Sequence, residues 1–134
     1  MFRASLTSIL SVPHVIRPFN SLEEFISSEY RLYTVAGDSH VERLREKDSG
    51  TLNRLWSAKI AADPDSRLLP TVADGVDKVL EDGANAFYHD EAPFESAVGG
   101  RAWCDIEKAW VSDVKYHYSM VLRKNSPYTA LFAK

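Results

Sequence analysis

The sequence predicts an α/β fold in which helices cover a small, largely parallel sheet, and three observations carry that expectation. Short β-type runs, Leu32-Tyr33-Thr34-Val35 and Ala86-Phe87-Tyr88, are separated by segments of helical period, the alternation that builds parallel sheets. Three helix starts announce themselves by a hydroxyl followed three residues later by an acid: Ser21 and Glu24, Ser39 and Glu42, Thr71 and Asp74. The chain has 134 residues, 45% of them hydrophobic and 26% charged, which suits one buried core and leaves little room for a second domain.

The elements follow in order. Ser21-Leu22-Glu23-Glu24 opens a short helix with Leu22, Phe25 and Ile26 on its apolar side. The run 32–35 is a strand ending at Ala36-Gly37, and the second signature, Ser39 to Glu42 with Asp38 just ahead, starts a helix with Val41 and Leu44 on one face. Leu52, Leu55, Trp56 and Ile60 recur at helical spacing over 51–62, and Asp63-Pro64-Asp65 stops that helix. After Leu68-Leu69-Pro70, Thr71 to Asp74 begins the clearest helix, with Val72, Val76, Val79 and Leu80 on one stripe and Asp82-Gly83 at its end. Residues 86–88 are a short buried strand. A helix with Pro93 in its first turn then runs to Gly99-Gly100. Val114, Tyr116, Tyr118, Met120 and Leu122 alternate with polar residues as a half-buried strand does, and Asn125-Ser126-Pro127 opens a terminal helix carrying Leu131 and Phe132.

Several function classes are disfavoured. The net charge is −3 and the 16 basic residues are scattered among acids, so there is no electrostatic footprint for nucleic acid. His14, His40, His89 and His117 have no metal-ligand spacing, and no metal or other cofactor is expected. No nucleophile elbow, phosphate loop or dinucleotide fingerprint occurs, and His89 and Asp90 are adjacent residues that point to opposite faces of an extended chain, so an enzyme is not expected. Cys104 is the only cysteine: either a small buried hydrophobe or a half-cystine whose partner lies outside the chain.

The amino-terminal stretch is unusual for a cytosolic domain. Residues 4–16 hold an apolar, hydroxyl-rich segment of about 13 positions, short of the roughly 20 a membrane span needs. A signal peptide is one reading; a truncated membrane helix, with Met1 not the true start, fits better because no small-residue cleavage site follows. Phe2-Arg3-Ala4-Ser5-Leu6-Thr7-Ser8-Ile9-Leu10-Ser11-Val12-Pro13 resembles, without a gap, the end of the pore-lining third transmembrane helix of ionotropic glutamate receptors, with Ala4, Leu6, Leu10, Val12 and Pro13 identical. The likeness continues through Pro18-Phe19-Asn20-Ser21-Leu22-Glu23-Glu24, Asn53-Arg54-Leu55-Trp56, Gly75-Val76-Asp77-Lys78-Val79 and Lys124-Asn125-Ser126-Pro127-Tyr128, which is similar to a Lys-Gly-Ser-Pro-Tyr turn of that family. Each motif alone is weak; their order and spacing carry the resemblance, and the altered ligand motif favours the divergent chemosensory branch.

The resemblance implies a gate-helix stub at 1–12, a linker at 13–20, and at 21–134 the membrane-proximal second lobe of a periplasmic-binding-protein-like clamshell. It implies a ligand-gated channel subunit in the cell membrane, this lobe extracellular, with a small-molecule ligand (amino acid, amine or organic acid) and other subunits of a tetramer as partners. Ser39 and His40 fall where the family holds the ligand's acidic group; a helix start after a strand and a glycine suits an anion on physical grounds too, and Ser39 as a plain N-cap is compatible with both. Glu91 falls where the family's glutamate binds the ligand's ammonium group, with Asp90 the alternative if the register shifts by one. Cys104 falls on a cysteine bridged, in the family, to one before the fourth membrane helix. Arg3 stands among the gate-helix residues Arg3, Ala4 and Leu6 in place of a threonine, and arginine within a membrane costs about 2.5–3.5 kcal/mol on insertion scales. Two other readings stay open: a lobe of a soluble solute-binding protein, and a non-conducting auxiliary subunit.

Overall fold

A computed structural model describes residues 19–100, 105–109, 123–127 and 130. The gate-helix stub, most of the linker, Cys104, the 114–122 strand and the body of the terminal helix lie outside the described residues.

The chain enters through α1 (Leu22–Ser27), where the Ser21 side chain accepts the Glu24 amide at 3.1 Å. The return bond differs from the expected box: Glu24 Oε2 accepts the amide of Asn20 at 2.7 Å, one residue before the cap. The strand β1 (Arg31–Val35) follows, with Leu32, Tyr33 and Thr34 buried in succession, as in a strand covered on both faces. Helix α2 (Ser39–Arg45) buries His40, Val41 and Leu44, and a 3-10 turn (Lys47–Ser49) leads to α3 (Thr51–Lys59). The helix predicted over 51–62 thus stops at Lys59. Asp63-Pro64 begins a new turn, α4 (Pro64–Arg67), since proline suits a first turn, where its missing N–H is not needed.

β2 (Leu68–Leu69) had no signal in the sequence, because two residues show no period. Helix α5 (Val72–Glu81) carries the full reciprocal capping box: Thr71 Oγ1 accepts the Asp74 amide at 3.2 Å while Asp74 Oδ2 accepts the Thr71 amide at 3.1 Å. It ends at Asp82, which turns the chain by accepting the Ala84 amide on its own carboxylate at 2.9 Å; the left-handed conformation expected of Gly83 is not used. β3 (Asn85–Phe87) begins one residue before the predicted run. Helix α6 (Glu91–Val98) closes on Gly99, at φ 57°, where glycine meets no steric penalty.

The three strands form a parallel sheet in the order β2-β1-β3. Thr34 pairs with Leu68 and Val35 with Leu69 on one side of β1; Arg31, Leu32 and Tyr33 pair with Asn85, Ala86 and Phe87 on the other. Helix α5 packs on all three strands, while α3 packs with α1 and α2. Phe25, Leu32, Leu44, Leu52, Leu55 and Ile60 make one apolar cluster, where each fully buried aliphatic side chain contributes roughly 1.5–3 kcal/mol. The α/β class and the small parallel sheet flanked by helices are as expected. Among the described residues no helix is long and apolar enough to cross a membrane.

Gly75 lies where α5 meets β3. A Cβ there would sit 2.3 Å from Phe87 Cε2 and 2.5 Å from its Cζ, so the helix backbone rests directly on the ring.

Candidate functional site

Parallel pairing sends the chain out of β1 and β3 at the same end of the sheet, the end at which open α/β sheets hold ligands. After β1, Ala36 donates its amide to Leu69 O at 2.8 Å, and Gly37 turns the chain at φ 72°, delivering Asp38, Ser39 and His40. After β3, Tyr88 donates its amide to Tyr33 O at 2.9 Å and accepts on its own carbonyl the buried Thr34 hydroxyl, also at 2.9 Å. That pair of bonds fixes the exit of β3 and sets His89 and Asp90 beside the start of α2.

The result is a cluster of two imidazoles and two carboxylates. His89 Nε2 lies 2.9 Å from Asp38 Oδ2; His40 Nε2 lies 3.4 Å from Asp90 Oδ2 and 3.9 Å from Asp38 Oδ1. The imidazole rings meet edge to face with centroids 4.8 Å apart. Both imidazole side chains are almost wholly buried, at 4% and 6% exposure, whereas the Asp38 and Asp90 side chains keep 29% and 28%. Tyr88 borders His40 edge-on at 5.9 Å, and the Phe87 ring stacks on His89 at 5.6 Å and an interplanar angle of 4°. Burial alone would raise the Asp38 carboxyl; the charge of His40 and the hydrogen bonds from His89 and Ser39 outweigh it and hold the group below its ordinary value.

The geometry corrects one detail of the sequence reading. The expected Ser39–Glu42 capping box does not form: Asp38 is the N-cap, Ser39 is the first helical residue, and no side chain caps the helix. A cap is worth about 0.5–2 kcal/mol, and α2 forgoes it because the Asp38 carboxylate is turned toward the imidazoles. Ser39 is exposed and donates its hydroxyl to Asp38 Oδ1 at 3.2 Å.

Of the predicted ligand residues, His40 and Asp90 meet. Glu91, one position on, is the exposed first residue of α6, and its Oε1 accepts from Lys108 Nζ at 2.7 Å. Lys108 also donates to Glu95, and these two hydrogen bonds, Glu91 first, raise the lysine above its ordinary value; the bond from Lys108 correspondingly lowers Glu95. Arg3, Ala4, Leu6 and Cys104 lie outside the described residues. Asp38 and His89 are the members of the cluster to which the sequence reading assigned no role. They stand 51 positions apart, so no local spacing reports them; the usable signal was that each of two short strands is followed by an acid and a histidine. The same point qualifies the case made against a metal from histidine spacing, because the donors come together only through strand pairing.

Chemically, the site offers nitrogen and oxygen donors converging from the start of α2 and the segment after β3, with the two carboxylates partly exposed to solvent. Among known protein families no model matches the chain, and no curated protein matches it.

Proposed function

We propose that the chain is the second, membrane-proximal lobe of the ligand-binding clamshell of an ionotropic-receptor-type channel subunit, joined by its amino-terminal stretch to a pore helix. The observation that carries this reading is the meeting of segments 38–40 and 89–91 at the carboxyl ends of two adjacent parallel strands. A clamshell lobe needs its ligand-facing groups on one such rim, and both ligand positions implied by the resemblance lie on it. Two further details support it. Gly75 opens the resembled Gly-Val-x-x-Val motif, and the Phe87 ring leaves no space for a side chain there. Asn125 replaces the glycine of the resembled Lys-Gly-Ser-Pro-Tyr turn at φ 66°, the left-handed region that asparagine tolerates next best.

In this reading Ser39 and His40 receive the ligand's anionic end, and Glu91, or Asp90 one register earlier, its cationic end. Glu91 already holds an ammonium group, that of Lys108, which a ligand amine would displace. Closure of the clamshell must favour the bound state, since a ligand of equal affinity for open and closed lobes shifts nothing.

The test is current evoked by amino acids, amines and organic acids from the full-length subunit expressed with a co-receptor. Loss of response in Glu91→Ala but not Asp90→Ala assigns the cationic end to Glu91, and the reverse pattern assigns it to Asp90. Unchanged responses in both variants remove the ligand placement. Robust cation current from the subunit alone would count against the non-conducting reading that Arg3 motivates. A complete upstream lobe behind a signal peptide, with no pore segments, would instead make the protein a soluble binding lobe.

A further inference from the structure

We propose that Asp38, His40 and His89 bind one divalent transition-metal ion, zinc foremost. This inference rests on the geometry of the described residues and stands whether or not the chain belongs to a channel.

The donor atoms of the three residues all lie within 4.8 Å of one another. Zinc bonded at about 2.0–2.1 Å to tetrahedral ligands sets its donors about 3.3 Å apart. The two histidine-to-carboxylate spacings bracket that value, one on each oxygen of Asp38: 2.9 Å from His89 Nε2 to Oδ2, and 3.9 Å from His40 Nε2 to Oδ1. Asp90 Oδ2, 3.4 Å from His40 Nε2, supplies either the fourth ligand or a neighbouring charge; with Asp38 ionised as well, the two carboxylates neutralise a dication.

The surroundings match what metal ligands require. A ligating histidine is oriented by a partner on its other nitrogen, and His89 Nδ1 faces the Asp90 carbonyl at 3.4 Å. A ligating carboxylate is itself hydrogen-bonded, and Asp38 Oδ1 accepts the Ser39 hydroxyl at 3.2 Å. The Phe87 stack and the Tyr88 edge hold the imidazoles in an apolar wall, while the exposed carboxylate side gives an ion its entry. Two imidazoles and a carboxylate select zinc and its borderline neighbours over calcium or magnesium, which take oxygen ligands.

The experiment titrates Zn2+ into the chelator-treated full chain by calorimetry, and in parallel Co2+ with visible absorption as a read-out of coordination geometry. One ion per chain is expected, with a tetrahedral cobalt spectrum and a thermal melting point that rises with metal concentration. His89→Gln and Asp38→Asn preserve shape and should each weaken binding by more than about 100-fold, beyond the 10–100-fold effect of a partner outside the coordination sphere. Circular dichroism checks that each variant is folded, and the two variants keep the test open if one is not. Absence of saturable binding up to about 100 μM Zn2+ would overturn the proposal. So would undiminished binding in folded His89→Gln and Asp38→Asn, or loss of binding in His117→Gln, which would move the site elsewhere.

Discussion

Helices α2 and α5 start from similar sequences and are held in opposite ways. Each follows a turn, and each carries a hydroxyl with an acid three residues on. At α5 the signature closes on itself: Thr71 and Asp74 exchange bonds, and the start is a self-sufficient local structure on the surface. At α2 it does not close. The N-cap position falls to Asp38, whose carboxylate leaves the helix for two histidines, and α2 is fixed instead by Val41 and Leu44, at 1% and 0% exposure. A helix anchored by its buried face can spare its cap for something else, and the spared carboxylate is what completes the polar cluster.

The largest expected effect tests that anchoring. Leu44→Ala empties a fully buried position and should cost about 2–5 kcal/mol in denaturant unfolding. A cost near that of a surface cap would mean that α2 is not held by its core face. Next, Asp38→Ala should cost about 1–3 kcal/mol, because it takes the acceptor from buried imidazoles and not merely from helix amides. Thr71→Ala, its counterpart on α5, should cost about 1 kcal/mol. If the two alanines cost the same, the contrast between a diverted and a closed cap fails.

Gly75→Ala sharpens the comparison from the other helix. The new methyl gains about 1 kcal/mol of helix propensity but must displace the Phe87 ring, an overpacking cost of about 1–3 kcal/mol. Net destabilisation is expected, together with a shift of the His89 ring resonances, since that imidazole is stacked on Phe87. Relief by Phe87→Leu in the double variant would confirm the cause. The smallest effect is at the far end of α5. The Ala84 amide and then the Arg31 guanidinium hold the Asp82 carboxyl below its ordinary value. A folded value below the unfolded one stabilises at pH above the unfolded carboxylate pKa, about 3.9, and that gain is lost as pH falls through the folded value. Asp82→Asn should therefore lower the melting temperature slightly at neutral pH and flatten the acid limb below about pH 4, where the variant and the parent converge; the loss is small because the pair with Arg31 is solvent-exposed.

What the chain discloses by itself is local. The Ser21 and Thr71 caps, the apolar stripe of α5, the stop at Gly99 and the strand at 32–35 are each written in a few consecutive residues, and each stands within a residue or so of its expected place. β2 escaped because its two leucines are defined only by pairing with Thr34 and Val35. The Ser39 signature misled because a tertiary partner outbid a local one: His89 competes for the carboxylate from a loop far along the chain. His40 and Asp90 were visible as separate candidates, yet their contact, like the convergence of Asp38 and His89, is a property of strand order.

The register of β1 against β3, with Tyr33 opposite Phe87, therefore has a consequence for diagnosis. Side chains alternate across a strand, so a slip of one residue would carry His89 to the opposite face and bring its neighbours in its place. The imidazole pair exists only in the correctly zipped sheet. An NMR contact between the His40 and His89 rings is accordingly a proofreading signal for refolded protein, able to separate a true native state from a compact impostor with the same helix content.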